Sequence, residues 1–295
     1  MKSTSIFFLA LTCLCGMSRA QTPLSQDEAL KQIYGDYDSD TKTATLSCTD
    51  AQRVDNEKTH GSWWPCYEDS SVVSVEIILT ATVPRRTDPK HKIEETYLVT
   101  SAVPAHATSG FDCHSCEPAI GVAQFVWQDQ KWKLEKANAT VGFYGSWGGP
   151  PLVELVAIGP SRYGVLISVD DGGQGYMFGS KWLLAPSAKT VAEVWKIQNE
   201  HDNFGAYDSK GIDGPSIRYR SAAAIRFSCI LDDSCANGNG YFDIEVISRG
   251  ADEIGPRRSL KAQNWTHVYQ FKDGKYELVL QQSFIEAKAA SRPVR

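Results

Sequence analysis

The sequence predicts an all-β protein, mainly antiparallel, with one short N-terminal helix. Three observations carry this. Alternating β-branched and aromatic segments recur along the chain, bounded by Gly, Pro, Asn and Asp. Helix signals are sparse. Two segments, 125–132 and 269–276, set an aromatic before a polar turn and a second aromatic after a Lys, which marks a tight hairpin. Short, evenly spaced antiparallel strands suit a sandwich, a barrel or an irregular propeller-like fold.

The first segment is not part of the fold. Met1-Lys2 gives a positive start, Ile6–Gly16 is apolar, and Ser18-Arg19-Ala20 sets small residues around a cleavage point. This is the pattern of a secretory signal peptide, removed near Ala20. The apolar run is shorter than the ~20 residues that span a bilayer. Cys13 and Cys15 lack the Leu-small-small context of a lipidated cysteine. The expected protein is therefore periplasmic or secreted. Loss of Lys2 and Arg19 takes Lys+Arg from 30 to 28 against 35 Asp+Glu, a net charge of −7. A mildly acidic chain with no basic stripe excludes nucleic acid and an anionic membrane surface as partners.

Ser25-Gln26-Asp27-Glu28 is a capping box. It opens a short helix carrying Ala29, Leu30, Ile33 and Tyr34, stopped by Gly35. Strands are expected at 71–83, 95–103, 122–127, 131–136, 152–158, 163–169, 217–227, 241–248, 266–271 and 275–281. Residues 189–200 are helical by composition. Val191, Trp195 and Ile197 do not form a 3.6-residue stripe, so a strand is expected there as well. Asp273-Gly274 is a favoured two-residue turn. Residues 185–190, Ala-Pro-Ser-Ala-Lys-Thr, are the most linker-like stretch. They divide a β-rich unit at 21–185 from a second at 190–288, packed as one domain or as two.

Eight cysteines become six after cleavage, an even number in an exported chain. Proximity favours the disulfides Cys48–Cys66, Cys113–Cys116 and Cys229–Cys235 among about 15 connectivities. Cys113-His114-Ser115-Cys116 is the densest cluster of reactive residue types. A redox couple needs a low-pKa thiol, normally at a helix N-terminus. Here Pro118–Gly121 leads into a strand, and Asp112 and Glu117 disfavour a thiolate. Zinc would need a fourth ligand beyond Cys113, His114 and Cys116. A disulfide-clasped loop with His114 at its tip is the preferred reading.

Three other segments are candidates. The Gly-rich loop at 142–151 offers Tyr144 and Trp147 as aromatics for sugar stacking or protein anchoring, and Trp64 beside Cys66 is similar. Asp170 and Asp171 among glycines, and Asp233 with Asp243, are weak calcium candidates. No resident cofactor is otherwise implied. No Gly-x-Ser-x-Gly, His-Glu-x-x-His or phosphate loop is present.

Residues 100–104, the stretch Asp112-Cys-His-Ser-Cys-Glu-Pro-Ala-Ile-Gly121, then Phe125, Trp132, 145–148, 158–160 and 174–175 resemble exported bacterial proteins sharing a Cys-His-x-Cys-x-Pro-x-Ile-Gly motif. The resemblance implies export and assigns no chemistry. The expected function is a non-enzymatic binding protein for an envelope protein or a cell-envelope glycan, with an inhibitor or immunity protein as one concrete form. The alternatives are a thiol-disulfide oxidoreductase using Cys113 and Cys116, and a glycan-active hydrolase.

Overall fold

A computed structural model describes residues 22–47, 70–85, 94–105, 111, 113–173, 175–188, 190–202, 220–231, 240–254, 259–262 and 264–283. Trp64, Cys48, Cys66, Asp233 and Cys235 lie outside the described residues.

The helix α1 spans Gln26–Tyr34. The Oγ of Ser25 accepts from the Glu28 N–H at 3.4 Å, and Gly35, at φ 80°, ends the helix with its N–H donating to the Lys31 carbonyl at 2.9 Å. Ala29, Leu30 and Tyr34 are buried against the first sheet. The Tyr34 hydroxyl meets the Thr100 Oγ1 at 2.8 Å.

Two antiparallel sheets hold the strands of the described residues. The first is a meander of β1 (Thr43–Ser47), β2 (Ser70–Pro84), β3 (Glu94–Pro104), β4 (Ala119–Gln128) and β5 (Lys131–Phe143), paired in that order. The second holds β6 (Leu152–Gly159), β7 (Arg162–Gly173), β8 (Tyr176–Pro186), β9 (Val191–Asp202), β10 (Arg220–Ser228), β11 (Asp243–Ile254), β12 (Ser259–Ala262), β13 (Trp265–Lys272) and β14 (Lys275–Ser283). Its strands pair in chain order, except that β13 lies against β11 and β12 pairs with the far part of β11. The all-β fold with one short helix is thus as expected.

Strand alternation builds three apolar layers. On β3 and β4, Leu98, Ala102, Ala119, Ala123 and Phe125 face α1. Val99, Ile120 and Val122 face the second sheet, where Val165, Ile167, Val169, Leu184 and Val191 meet them. The opposite faces of β7, β8 and β9 supply Leu166, Leu183, Ala185, Val194 and Trp195 to a third cluster with Ile244, Val246 and Tyr276. The second sheet curls around that cluster: β6 approaches β10, β9 approaches β14, and the Phe242 N–H donates to the Ile158 carbonyl at 2.7 Å.

Both expected hairpins form. The turns Asp129-Gln130 (φ 55° and 62°) and Asp273-Gly274 (φ 48° and 92°) have positive φ at both central residues, the geometry that matches strand twist. Each is braced by an edge-on aromatic pair, Trp127–Trp132 at 5.4 Å and Phe271–Tyr276 at 5.2 Å. Residues 191–202 are a strand, as the broken helical stripe indicates. The linker-like stretch before them is a hairpin turn inside the second sheet: Pro186 pairs with Val191 and the Ser187 N–H donates to the Thr190 carbonyl at 2.7 Å. The chain changes sheet earlier, between Phe143 and Leu152. β8 was not expected from sequence. Its alternation is interrupted by Gly179-Ser180-Lys181, and a register shift at Gly179/Ser180 accommodates them.

Truncation in the layer between the sheets should be costly. Ile167 is fully buried, so Ile167→Ala should lower unfolding free energy by about 2–5 kcal/mol in urea titration. Leu152→Ala, at a side chain 74% exposed, should change it by no more than about 0.5 kcal/mol.

Candidate functional site

The Cys113–Cys116 disulfide is formed, with the Cα atoms 5.0 Å apart. The Cys116 N–H donates to the Cys113 carbonyl at 2.9 Å, closing a tight turn. Cys116 is fully buried with Phe111 against Val103 and Phe143, while Cys113 is exposed. β4 starts at Ala119, so among the described residues no helix N-terminus faces either sulfur to lower a thiol pKa. Cys229 is also disulfide-bonded.

The clasp holds His114 out towards the end of the second sheet. His114 Nε2 lies 2.7 Å from Asp171 Oδ1 and 2.8 Å from the Gly172 carbonyl. Both partners are acceptors, so Nε2 carries a hydrogen and donates. The imidazole meets the Trp147 indole edge-on, with ring centroids 5.5 Å apart. Three segments singled out separately in the sequence therefore meet at one place: the cysteine clasp, the Gly-rich loop and the Asp-Asp-Gly-Gly tip of β7.

Backbone hydrogen bonds fix the Gly-rich loop. The Tyr144 N–H donates to the Pro118 carbonyl at 3.2 Å, and the Gly148 N–H donates to the Cys116 carbonyl at 2.8 Å. Ser146 and Gly149 pair as a bridge, so Trp147 and Gly148 are the central residues of a turn with φ 54° and 69°. Only glycine fits at 148, where a Cβ would stand 2.0 Å from the Phe111 carbonyl oxygen. Trp147 has no such excuse: a bulky residue in the left-handed region is strained by roughly 1–2 kcal/mol. The strain sets its side chain in solvent, 61% exposed.

Tyr144 corrects the expectation of a presented aromatic. It is buried between the sheets, its ring edge-on to Trp182 at 5.2 Å and its hydroxyl donating to Glu193 Oε2 at 3.1 Å. Burial, reinforced by the Glu193 carboxylate, holds its phenol well above the usual range. Asp170 and Asp171 do not form a calcium pair, because consecutive strand residues point to opposite faces. Asp171 is taken up by His114 and by the Gly172 N–H at 2.7 Å. Asp243 is also spoken for, its Oδ2 accepting from the N–H groups of Ile230 and Leu231 at 3.0 and 3.2 Å. Among the described residues no cluster of three or more His, Cys, Asp or Glu is placed to hold a metal ion, and no helix there is long and apolar enough to cross a membrane.

The meeting point is a cleft of 290 Å³ whose lining includes His114, Glu117, Asp171, Phe178, Trp182 and Gln198. Glu117, which sequence reasoning treated only as a flank of the cysteine motif, is half-buried here. Its carboxyl is pushed up to about 7, first by burial and then by the charge of Asp171. Compared with protein-family models, curated proteins and solved structures, the chain matches none of them.

Glu117 should make stability fall with pH. Its folded pKa is raised, so between pH 4.5 and about 7 the native state keeps a proton that the unfolded chain releases. Glu117→Gln should remove the penalty. Allowing for solvent screening, melting should rise by about 2–4 °C at pH 8 and change little at pH 4, measured by calorimetry.

Proposed function

We propose that this is an exported glycan-binding protein of the bacterial cell envelope, its leader removed near Ala20, and that sugar sits in the cleft lined by His114, Glu117 and Asp171, against the adjoining Trp147. One observation carries the reading: a tryptophan held in a strained backbone so that its indole stands in solvent beside a polar cleft. Strained residues concentrate at functional sites. An exposed indole gives an apolar platform for a pyranose face. Asp171, Glu117 and Gln198 offer acceptors and donors for its hydroxyls. The disulfide and the backbone bonds between the loops prepay the ordering cost of binding.

The test is retention on purified peptidoglycan and on immobilised envelope polysaccharides. The parent protein should be retained and Trp147→Ala should bind about tenfold more weakly with unchanged melting. Retention by none of these glycans, or full binding by the variant, contradicts the proposal. The raised pKa of Glu117 close to Asp171 favours a second reading, that the cleft cleaves the glycan, with Glu117 as proton donor. Release of reducing ends that disappears in Glu117→Gln supports it, and no release from any retained glycan removes it.

A further inference from the structure

The seam between the sheets opens at its other end as well. Tyr163 and Asp171 lie about 26 Å apart along β7, and around Tyr163 is a second cavity, of 230 Å³. One wall belongs to the first sheet. Glu95, Tyr97 and Gln124 lie there, 2%, 2% and 7% exposed. Gln124 Nε2 donates to Glu95 Oε2 at 2.8 Å, and the Tyr97 hydroxyl donates to Glu95 Oε1 at 3.4 Å. A carboxylate has about four acceptor positions; these two bonds use two of them, and Glu95 lines the cavity. Burial raises the Glu95 pKa, a cost that a bound cation would offset.

The facing wall belongs to the second sheet and carries Ile158, Ser161, Arg162 and Tyr163, with Tyr241 beside them. The Arg162 guanidinium lies 4.6 Å over the Tyr241 ring. None of the ion pairs among the described residues uses Arg162. The other cations of the cavity are engaged: Arg85 with Glu135 at 2.9 Å, and Lys136 with the Ser187 carbonyl. The cavity thus sets a buried acid, whose nearby Arg85 is shared with Glu135, on its floor against an exposed cation at its mouth that forms no ion pair among the described residues.

We propose that this cavity binds a small zwitterion of the α-amino acid type, its ammonium on Glu95 and its carboxylate on Arg162. A simple anion would satisfy Arg162 but set a second negative charge against Glu95. A simple cation would leave Arg162 unused and meet the positive rim. Only a ligand carrying both charges meets both walls, and the cavity volume suits an amino acid or a dipeptide.

The full mature chain should be titrated calorimetrically with the common L-amino acids, D-alanine and dialanine, and with propionate and ethylamine as single-charge halves. At least one zwitterion should bind about tenfold more tightly than either half. Glu95→Gln and Arg162→Met should each weaken it by about tenfold or more. Arg162 is exposed, so its variant keeps the test decisive if Glu95→Gln misfolds. Propionate binding as tightly as the best zwitterion, affinity unchanged in Arg162→Met, or no binding by any of these probes overturns the proposal.

Discussion

Face-to-face packing of β3 and β4 on β7 and β8 sets where every candidate group sits. Val99, Ile120 and Val122 on one side and Val165, Ile167, Val169 and Leu184 on the other exclude water from the middle of the seam. Their burial is the non-directional part of the stabilisation. What they leave over is directional. At each end of the seam the apolar layer runs out and polar side chains take its place, half-desolvated by the sheets. Glu117 and Glu95 have raised pKa values for this same reason, one at each end. Placing a carboxyl at the rim of an apolar layer is costly, and in natural proteins such costs concentrate at sites with a ligand or a reaction to serve.

The clasp is best understood as a positioning device. It contributes little loop-closure entropy, since its ring is short. Its effect is geometric: with Cys116 buried and the Gly148 N–H bonded to the Cys116 carbonyl, His114 is presented to β7 and the Gly-rich loop is fixed beside it. The second sheet supplies the complementary half, with Asp171 and the Gly172 carbonyl both accepting from the imidazole. Neither sheet alone makes the cleft.

Much of the fold was legible in the sequence, because local rules decide it. The capping box and Gly35 placed α1, and the two turn signatures placed their hairpins with the right aromatic pairs. β8 escaped because Gly179-Ser180-Lys181 breaks its alternation, and that break makes sense only against β9. The change of sheet at 144–151 was read as a presentation loop, and residues 185–190, which have a linker's composition, are a tight turn. The candidate site was legible in pieces. His114 and Trp147 were identified, but nothing in the sequence set them side by side, since their contact depends on the seam. Tyr144 and Trp147 lie three residues apart with similar chemistry and opposite fates, separated by a positive φ that no local pattern announces. Glu117 was missed as a site residue because desolvation is a property of the folded neighbourhood. The second cavity draws on Arg85, just after β2, and on Glu95, Gln124 and Arg162 from three different strands, and has no motif at all.

The two sheets meet so that the clasp, the Gly-rich loop and the β7 tip share one cleft. A nuclear Overhauser spectrum of the oxidised protein tests this directly through the ring protons of His114 and Trp147. At a centroid separation of 5.5 Å cross-peaks between imidazole and indole should be strong, with further peaks from His114 to the Gly172 region. A folded, oxidised protein in which His114 shows neither set would contradict the account, because its three segments would then not meet.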